Sequence, residues 1–243
     1  MILSLSSKKD YDKESRVVMN MKKKTALVLG ATGLVGTELV KILVQQNQFE
    51  KIHLLVRKPI QPIDPACEVH VVDFDKMDTY PELFQVNDVF CCLGTTIKKA
   101  KTKEAFRNVD YQYPLEAAKM AVNQGVEKFL IITAMGANAK SMFFYNRVKG
   151  DVESALQQLK LPALHIFRPS LLLGDRGEQR FGEDVAAKFS GVLNMLMAGP
   201  LRPYKAIEAK KVAAAMAAAA QSVKTGVHIY PSHEIEQMAA RNL

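Results

Sequence analysis

A chain of 243 residues, 48% of them hydrophobic, is long enough to form one domain with a sizeable core. No apolar run is long enough to span a bilayer, and the three cysteines lack disulfide or metal-ligand spacing, which suits a reducing cytoplasm. The net charge of +8 is compatible with nucleic acid, but no arginine–aromatic array accompanies it, and attraction to a phosphate-rich cofactor explains it equally well. We expect a cytoplasmic monomer or homodimer without a nucleic-acid partner or membrane insertion.

The first 20 residues differ in character from the rest of the chain. They are polar and aperiodic, and they lack the long apolar core and small-residue cleavage site of a signal peptide. Met21, followed by three lysines, leads directly into the first apolar run and looks like a natural start. We expect residues 1–20 to be a disordered tail or the result of a misassigned start, and residues 21–243 to form a single domain.

Strand and helix patterns alternate through that domain. The apolar runs that predict strands are residues 25–29, 51–56, 68–72, 86–93, 128–133, 163–167 and 226–230. The segments with helical periodicity are residues 34–46, 111–123, 145–159, 183–197 and 208–222. Near-continuous apolar strands alternating with helices indicate an α/β class, a doubly wound parallel sheet with helices on both faces. The segments after Pro169 are expected to form a small C-terminal cap over it.

A glycine-rich turn joins the first strand to the first helix. The run reads Gly-Ala-Thr-Gly-Leu-Val-Gly over residues 30–36, and this spacing between strand and helix is typical of dinucleotide binding. A flexible turn is the alternative. The glycines permit a tight turn, an approach of backbone amides to a pyrophosphate, and close helix–strand packing, while the helix N-terminus favours phosphate. The predicted cofactor-binding residues here are Gly30, Thr32, Gly33, Leu34, Val35 and Gly36.

Two cations follow the second strand, where this fold meets the adenosine ribose. A carboxylate at that strand end binds the ribose 2′-hydroxyl, whereas an arginine suits a 2′-phosphate. This chain has Arg57 and Lys58 there, about 20 residues beyond the glycines, and no acid between Lys51 and Gln61. The pattern therefore favours NADP(H) over NAD(H), with two ordinary surface cations as the alternative.

Two further strand ends carry residues suited to a dinucleotide. After the third strand come Asp73 and Phe74, where an acid can meet the adenine amino group and a ring can bracket the base. After the fourth strand, a glycine lets the backbone pass under the cofactor, and the predicted residues are Leu93, Gly94, Thr95 and Thr96. Simple strand-end chemistry is the alternative at both places. The five histidines are scattered without any pairing that suggests zinc, so we predict no metal site.

Tyr145 and Lys149 occupy positions i and i+4 of a predicted helix and so share one helix face. A tyrosine ionises near pKa ~10, so acid–base chemistry at neutral pH needs a nearby cation. Lys149 can supply that charge while it hydrogen-bonds a nicotinamide ribose. About one such pair is expected by chance in this composition. Its location after the fifth strand, beside the nicotinamide half of a Rossmann site, favours a catalytic role.

These motifs together resemble the short-chain dehydrogenase/reductase superfamily, with the glycine run, the tyrosine–lysine pair and Arg168-Pro169 carrying the likeness. More narrowly, the chain resembles an atypical branch, the Tat-interacting-protein-like oxidoreductases and their epimerase/dehydratase-like bacterial relatives. The runs that carry this narrower likeness are residues 92–96, 135–137, 145–153 and 172–176. The likeness extends from about Lys24 to near Glu236.

The resemblance implies an NADP(H)-binding domain with a Ser/Thr–Tyr–Lys constellation. Its catalytic residues fall on Thr133, Tyr145 and Lys149, and Tyr145, Lys149 and Pro169 are also expected to contact the cofactor. Relatives tend to have two serines where this chain has Thr133-Ala134. If the second position supplies the hydroxyl, its loss lowers the rate by about 10²–10³.

The sequence therefore favours an NADPH-dependent oxidoreductase that transfers hydride between nicotinamide and a small carbonyl or alcohol substrate. An NADP(H)-binding redox sensor without turnover is the alternative, and a sugar-nucleotide epimerase or dehydratase is disfavoured because few residues follow Pro169. Residues 175–184 form a charged segment, expected to fix the cap by ion pairs or to contact a polar substrate. His165 lies within an apolar strand and is expected to be a core residue.

Overall fold

A parallel sheet of seven strands organises residues 24–174 and 205–241, the part of the chain that this computed structural model describes. The strands are β1 Lys24–Leu29, β2 Phe49–Val56, β3 Cys67–Val71, β4 Asp88–Cys91, β5 Lys128–Ile132, β6 Ala163–Arg168, the short β7 Leu172–Leu173 and β8 Ile207–Glu208, and β9 Gly226–Pro231. The sheet order is β3-β2-β1-β4-β5-β6-β9, and β7 pairs separately with β8. This architecture confirms the predicted doubly wound α/β class.

Helices cover both faces of the sheet. They are α1 Leu34–Gln46, α2 Ile97–Ala100, α3 Lys103–Arg107, α4 Tyr113–Asn123, α5 Phe144–Gln157, α6 Ala209–Gln221 and α7 Ser232–Ala240. Two 3₁₀ segments, Phe74–Thr79 and Pro81–Phe84, follow β3, and a π-helical turn, Asn108–Gln112, precedes α4. The sequence did not predict α2, α3 or α7, since two are about one turn long and α7 directly follows Pro231. No helix within the described residues has the length and apolarity to cross a bilayer.

Alternation of side chains along the strands divides the core into two layers. On one face α1, α6 and α7 pack against strand residues such as Val28 and Leu130. On the other face α4, α5 and the 3₁₀ segments pack against residues such as Leu29 and Ile131. His165 is fully buried, as predicted, and its Nδ1 lies 3.0 Å from the Tyr230 hydroxyl. Residues 1–20, 175–184 and 183–197 lie outside the described residues, so the predictions made for them, and with them most of the predicted cap, stay predictions.

The strand order reverses between β1 and β4, which is the topological switch point of the sheet. In open α/β sheets, ligands bind in the crevice outside the carboxyl ends of the strands at such a point. The chain turns at Gly30 directly after β1, and Cys92 follows β4 at the same edge. The fold therefore brings the predicted glycine turn to the position where this architecture binds ligands.

The opposite, amino edge of the sheet holds a buried carboxylate. Asp88 is fully buried at the start of β4, and neither carboxylate oxygen has a hydrogen-bond partner among the described residues. Its nearest cation is Lys24, whose Nζ lies 4.0 Å from Asp88 Oδ1. Burial raises the pKa of Asp88 to about 6, against the opposing effect of Lys24 and Lys128. A cavity of about 600 Å³ borders these groups, and it lies at the edge remote from the switch point.

This buried carboxylate predicts a pH-dependent stability difference for Asp88→Asn. The folded-state pKa lies above the unfolded value, so ionisation costs folding free energy as pH rises from about 4 through 6. The asparagine variant escapes this cost. Relative to the parent, its unfolding free energy should increase by roughly 2–3 kcal/mol between pH 4 and pH 7.5. Urea unfolding of both proteins across that range measures it, and a difference that is constant with pH would contradict the assignment.

Candidate active site

The glycine turn is built by direct backbone contacts. Gly30 has φ +78°, and a Cβ there would lie 2.6 Å from the Cys92 carbonyl oxygen, so no other residue fits without a shift. The Gly33 N–H donates to the Gly30 carbonyl at 2.9 Å and closes the turn. A Cβ at Gly36 would lie 2.1 Å from that same carbonyl oxygen. These contacts hold the start of α1 against the ends of β1 and β4.

The N-terminus of α1 is suited to an anion. Gly33 occupies the N-cap position in an extended conformation and has no side chain to cap the helix. The first turn carries no acidic side chain. The first N–H groups of a helix have no intrahelical partner, and the helix dipole adds positive charge there. Thr32 is exposed beside them, and the backbone N–H groups of Leu34 and Val35 belong to this first turn. The turn therefore fits a phosphate group.

A buried ion pair joins α5 to the π-helical turn. The Lys149 Nζ lies 2.7 Å from Asp110 Oδ1, and both side chains are at most 5% exposed. The other carboxylate oxygen of Asp110 accepts a hydrogen bond from the Thr95 N–H at 2.9 Å. A Cβ at Gly94 would lie 3.9 Å from Lys149 Nζ, so the pair lies directly beneath the backbone that follows β4.

Lys149 is held in its charged form. Burial alone would lower the pKa of Lys149, but the interactions with Asp110 and Tyr145 outweigh it and raise the pKa above its ordinary value. Tyr145 lies one turn earlier on α5, is 36% exposed and packs its ring 5.6 Å from that of Phe106. The helix thus presents an accessible phenol beside a buried, fixed positive charge.

Thr133, the third predicted catalytic residue, is engaged elsewhere. Its hydroxyl donates to Glu153 Oε1 at 2.6 Å, and the residue is only 4% exposed. The Nε–H of Arg168 also donates to both oxygens of Glu153, at 3.0 and 3.1 Å, and its Nη2 donates to Oε2, which completes a bidentate ion pair. The Thr133 hydroxyl would have to leave Glu153 before it could donate to a substrate oxygen. Its catalytic role stays a prediction.

The loop after β5 packs closely on α5. A Cβ at Gly150 would lie 2.1 Å from the Ala139 N and the Asn138 carbonyl carbon, so loop and helix meet backbone to backbone. The Asn138 N–H donates to the Asn146 carbonyl at 3.0 Å, and the Met135 N–H to the Pro169 carbonyl at 2.9 Å. Pro169, a predicted cofactor contact, is buried, and its carbonyl is bound to the loop by the hydrogen bond from Met135.

The predicted adenosine residues gather at the ends of β2 and β3. Arg57 and Lys58 are exposed directly after β2, and Asp73 is exposed directly before the first 3₁₀ segment. The Tyr113 hydroxyl donates to Asp75 at 2.7 Å. Burial, together with the negative charges of Asp75 and Asp73, raises the pKa of Tyr113 to about 12, and the positive charge of Arg57 opposes this shift. Arg57, Asp73 and Asp75 therefore all lie near the Tyr113 hydroxyl.

Phe74 and Thr96 are used by the fold itself. Phe74 is only 7% exposed and lies in the core with its ring 5.6 Å from that of Tyr113. Its predicted contact with an adenine stays a prediction. The Thr96 hydroxyl caps α2 by accepting from the Lys99 N–H at 3.2 Å. Leu93 is half-buried and packs against the core beside Gly94.

Sequence reasoning missed Asp110, the carboxylate that compensates Lys149. A single aspartate between Val109 and Tyr111 carries no periodic signal. The only available clue was indirect: a buried lysine needs an anion nearby. Glu153 was part of the quoted run 145–153, but its ion pair with Arg168 was not foreseen.

Fold and site together define a Rossmann-type domain of the short-chain dehydrogenase/reductase class. The family model described as HIM1 matches residues 64–199. Protein HTATIP2 of Rattus norvegicus is 41% identical over 190 residues, covering 75% of this chain and 78% of that protein. The chain belongs to this family, the Tat-interacting-protein-like branch predicted from its sequence.

More distant comparisons agree with this fold. A fungal relative, "Protein FMP52, mitochondrial" of Debaryomyces hansenii, is 34% identical over 203 residues, covering 79% of this chain and 87% of that protein. The enzyme WbmG of Bordetella bronchiseptica, solved in complex with NAD, has a TM-score of 0.65 at 15% identity, covering 92% of this chain and 78% of that one. The UDP-N-acetylglucosamine 4-epimerase of Methanobrevibacter ruminantium has a TM-score of 0.64 at 14% identity, covering 87% and 77%.

The buried ion pair predicts a large stability loss for Asp110→Asn. The substitution leaves the Lys149 ammonium buried without its anion, which should cost about 3–5 kcal/mol. The matched control is Asp151→Asn, which removes an ion pair between Asp151 and Arg107 nearer the surface and should cost at most about 1 kcal/mol. Thermal and urea unfolding compare the two variants with the parent. If both variants lost the same unfolding free energy, the Lys149–Asp110 pair would stabilise the fold no more than a surface ion pair does.

Proposed function

We propose that this protein is an NADP(H)-dependent oxidoreductase that interconverts a small carbonyl compound and its alcohol. The observation that carries the proposal is the arrangement on α5: an accessible Tyr145 one turn before a buried Lys149, beside Gly94 at the switch point. Family membership supports an oxidoreductase of the short-chain dehydrogenase/reductase type. The substrate class and the preference for the phosphorylated dinucleotide are our own inferences.

The residues at the switch point fit a dinucleotide. The uncapped start of α1, at Gly33, would hold the pyrophosphate through backbone N–H groups. Arg57 after β2 would pair with a ribose 2′-phosphate, since a guanidinium matches phosphate geometry. Gly94 leaves room for a ligand to approach the backbone above Lys149. When bound, the nicotinamide supplies or accepts the hydride.

The chain's own groups would then handle the proton. Tyr145 would donate its phenolic proton to the substrate oxygen during reduction and take it back during oxidation. Lys149 would stabilise the phenolate with a positive charge that Asp110 fixes in place. Because Lys149 cannot reorient without leaving its buried anion, the cation is already positioned before substrate binds. Tyr145 is 36% exposed, so a substrate could reach it from solvent.

One observation favours a second candidate, an NADP(H)-binding redox sensor without turnover. The hydroxyl of Thr133 is bonded to Glu153 and the next residue is Ala134, so no hydroxyl at the end of β5 is free to polarise a substrate carbonyl. The epimerase alternative has only fold-level support, since those neighbours are under 25% identical. A cytoplasmic location also stays a prediction, because the name of the Debaryomyces hansenii relative carries the word mitochondrial.

The position of Arg57 predicts the cofactor preference. NADPH should bind at least tenfold more tightly than NADH, a difference of about 1.4 kcal/mol. Arg57→Asp should erase the preference by removing the cation and adding repulsion toward the 2′-phosphate. Lys41→Asp makes the same charge change on the surface of α1 and should leave the preference intact. Calorimetric titration of both cofactors measures this, and equal affinities in the parent would exclude the assignment.

The α5 arrangement predicts that Tyr145→Phe abolishes turnover while NADPH affinity stays nearly unchanged. The phenol acts in the transition state, so its loss affects the chemical step rather than cofactor binding. The matched control is Tyr80→Phe, which removes a phenol packed against the core. NADPH oxidation followed across a panel of small carbonyl compounds gives the rates, and fluorescence gives the affinities.

The outcomes of that experiment distinguish the candidates. Parent activity that survives Tyr145→Phe undiminished would rule out the proposed proton donor. A parent that binds NADPH but turns over no compound in the panel would favour the sensor.

A further inference from the structure

Three potential metal ligands meet on β2 and β3, at the edge of the sheet. His53 lies on β2, and Glu68 and His70 lie on the edge strand β3. In the parallel register, His53 pairs with Glu68 and Leu55 pairs with His70. Because side chains alternate along a strand, His53 and Leu55 share a face, and so do Glu68 and His70. All three polar side chains therefore stand on one face, although His53 and His70 are 17 positions apart.

Their donor atoms are close enough to share one ion. His53 Nδ1 lies 2.9 Å from His70 Nε2. The Glu68 carboxylate oxygens lie 3.9 Å from His53 Nδ1 and 3.9 Å from His70 Nε2. One donor atom of each residue falls within 4.8 Å of the others. In a tetrahedral zinc site, bonds of about 2.0–2.1 Å separate neighbouring ligand atoms by about 3.3 Å. Because the three donor atoms lie between 2.9 and at most 4.8 Å apart, shifts of up to about 1.5 Å bring them onto one ion.

We propose that His53, Glu68 and His70 form a binding site for a divalent transition-metal ion, Zn²⁺ in particular, which ties the edge strand β3 to β2. Two imidazoles and one carboxylate are a donor set that zinc accepts, with a fourth position open for water. Magnesium and calcium prefer sites made of oxygen ligands and would bind poorly. The inference does not depend on the proposed oxidoreductase activity.

The surroundings support coordination. The two histidine side chains are 17% and 20% exposed, and the Glu68 side chain is 47% exposed, so an ion can enter from solvent while the rings stay held by the strands. An ion must displace two contacts, the surface ion pair between Lys51 and Glu68 at 3.1 Å and the hydrogen bond between His53 Nδ1 and His70 Nε2 at 2.9 Å.

A structural consequence follows for the edge of the sheet. Within residues 24–174 and 205–241, β3 pairs with a strand on one side only, with β2. An ion held by His53 on one strand and by Glu68 and His70 on the other would add a link that is independent of backbone hydrogen bonds. Binding to the folded state alone then stabilises that state by mass action.

The test uses the full chain, freed of metal with a chelator and titrated with Zn²⁺ by calorimetry and with Co²⁺ by absorption. We expect one ion per chain, visible-region Co²⁺ bands of a four-coordinate site, a rise of several degrees in thermal midpoint with Zn²⁺, and no response to Mg²⁺ at the same concentration. His53→Gln and His70→Gln should each weaken Zn²⁺ binding at least tenfold. His233→Gln, which changes an exposed histidine on α7, should leave it unchanged.

Three results would overturn the proposal. They are the absence of Zn²⁺ binding by the parent, Zn²⁺ affinity that is the same in the parent and both histidine variants, and a loss of affinity in His233→Gln equal to that in His70→Gln. Circular dichroism checks that each variant is folded. If a histidine variant does not fold, Glu68→Gln decides the question, because its half-exposed side chain can be neutralised without disturbing the core, and it should also lose Zn²⁺ affinity at least tenfold.

Discussion

The buried ion pair between Lys149 and Asp110 is the interaction on which the site depends. A lysine ammonium removed from water is costly unless an anion compensates it, so the two residues must be brought together for the chain to fold. Asp110 also fixes the loop after β4 by accepting from the Thr95 N–H. One carboxylate thus sets the distance between α5 and the end of β4, and with it the position of Tyr145 relative to Gly94.

The same edge of the sheet is organised by a second constraint, close backbone contact. The turn at Gly30 approaches the Cys92 carbonyl across the switch point, so a side chain at position 30 would force the start of α1 away from the end of β4. Below α5, Arg168, Glu153 and Thr133 form a second polar cluster. Its hydrogen bonds hold the ends of β5 and β6 together, so the Thr133 hydroxyl stabilises the fold in this conformation.

Most strands and longer helices of the described residues, and the glycine turn after β1, could be predicted from the sequence, because the patterns that indicate them are local. Neighbouring residues alone define the apolar run 128–132 and the helical periodicity of residues 34–46. The spacing of the glycines at residues 30–36 likewise indicates the turn between β1 and α1. Asp110 could not be predicted, since its role arises only when the π-helical turn places it under Gly94. The pairing of His53 with His70 could not be predicted from the sequence, because strand register, not sequence spacing, brings the rings together. The burial of Phe74 could not be predicted either, because an aromatic residue at a strand end can face either solvent or core.

The contact at Gly150 has a consequence for how ligands of different size can be accommodated. Because the backbone at Asn138 and Ala139 touches the backbone of α5, the loop after β5 cannot approach the helix more closely. The hydrogen bond from the Asn138 N–H to the Asn146 carbonyl opposes withdrawal of the loop from the helix. The surface that this loop and α5 form near Tyr145 is therefore stiff, and a bulkier ligand of the proposed site would have to gain room on its other sides.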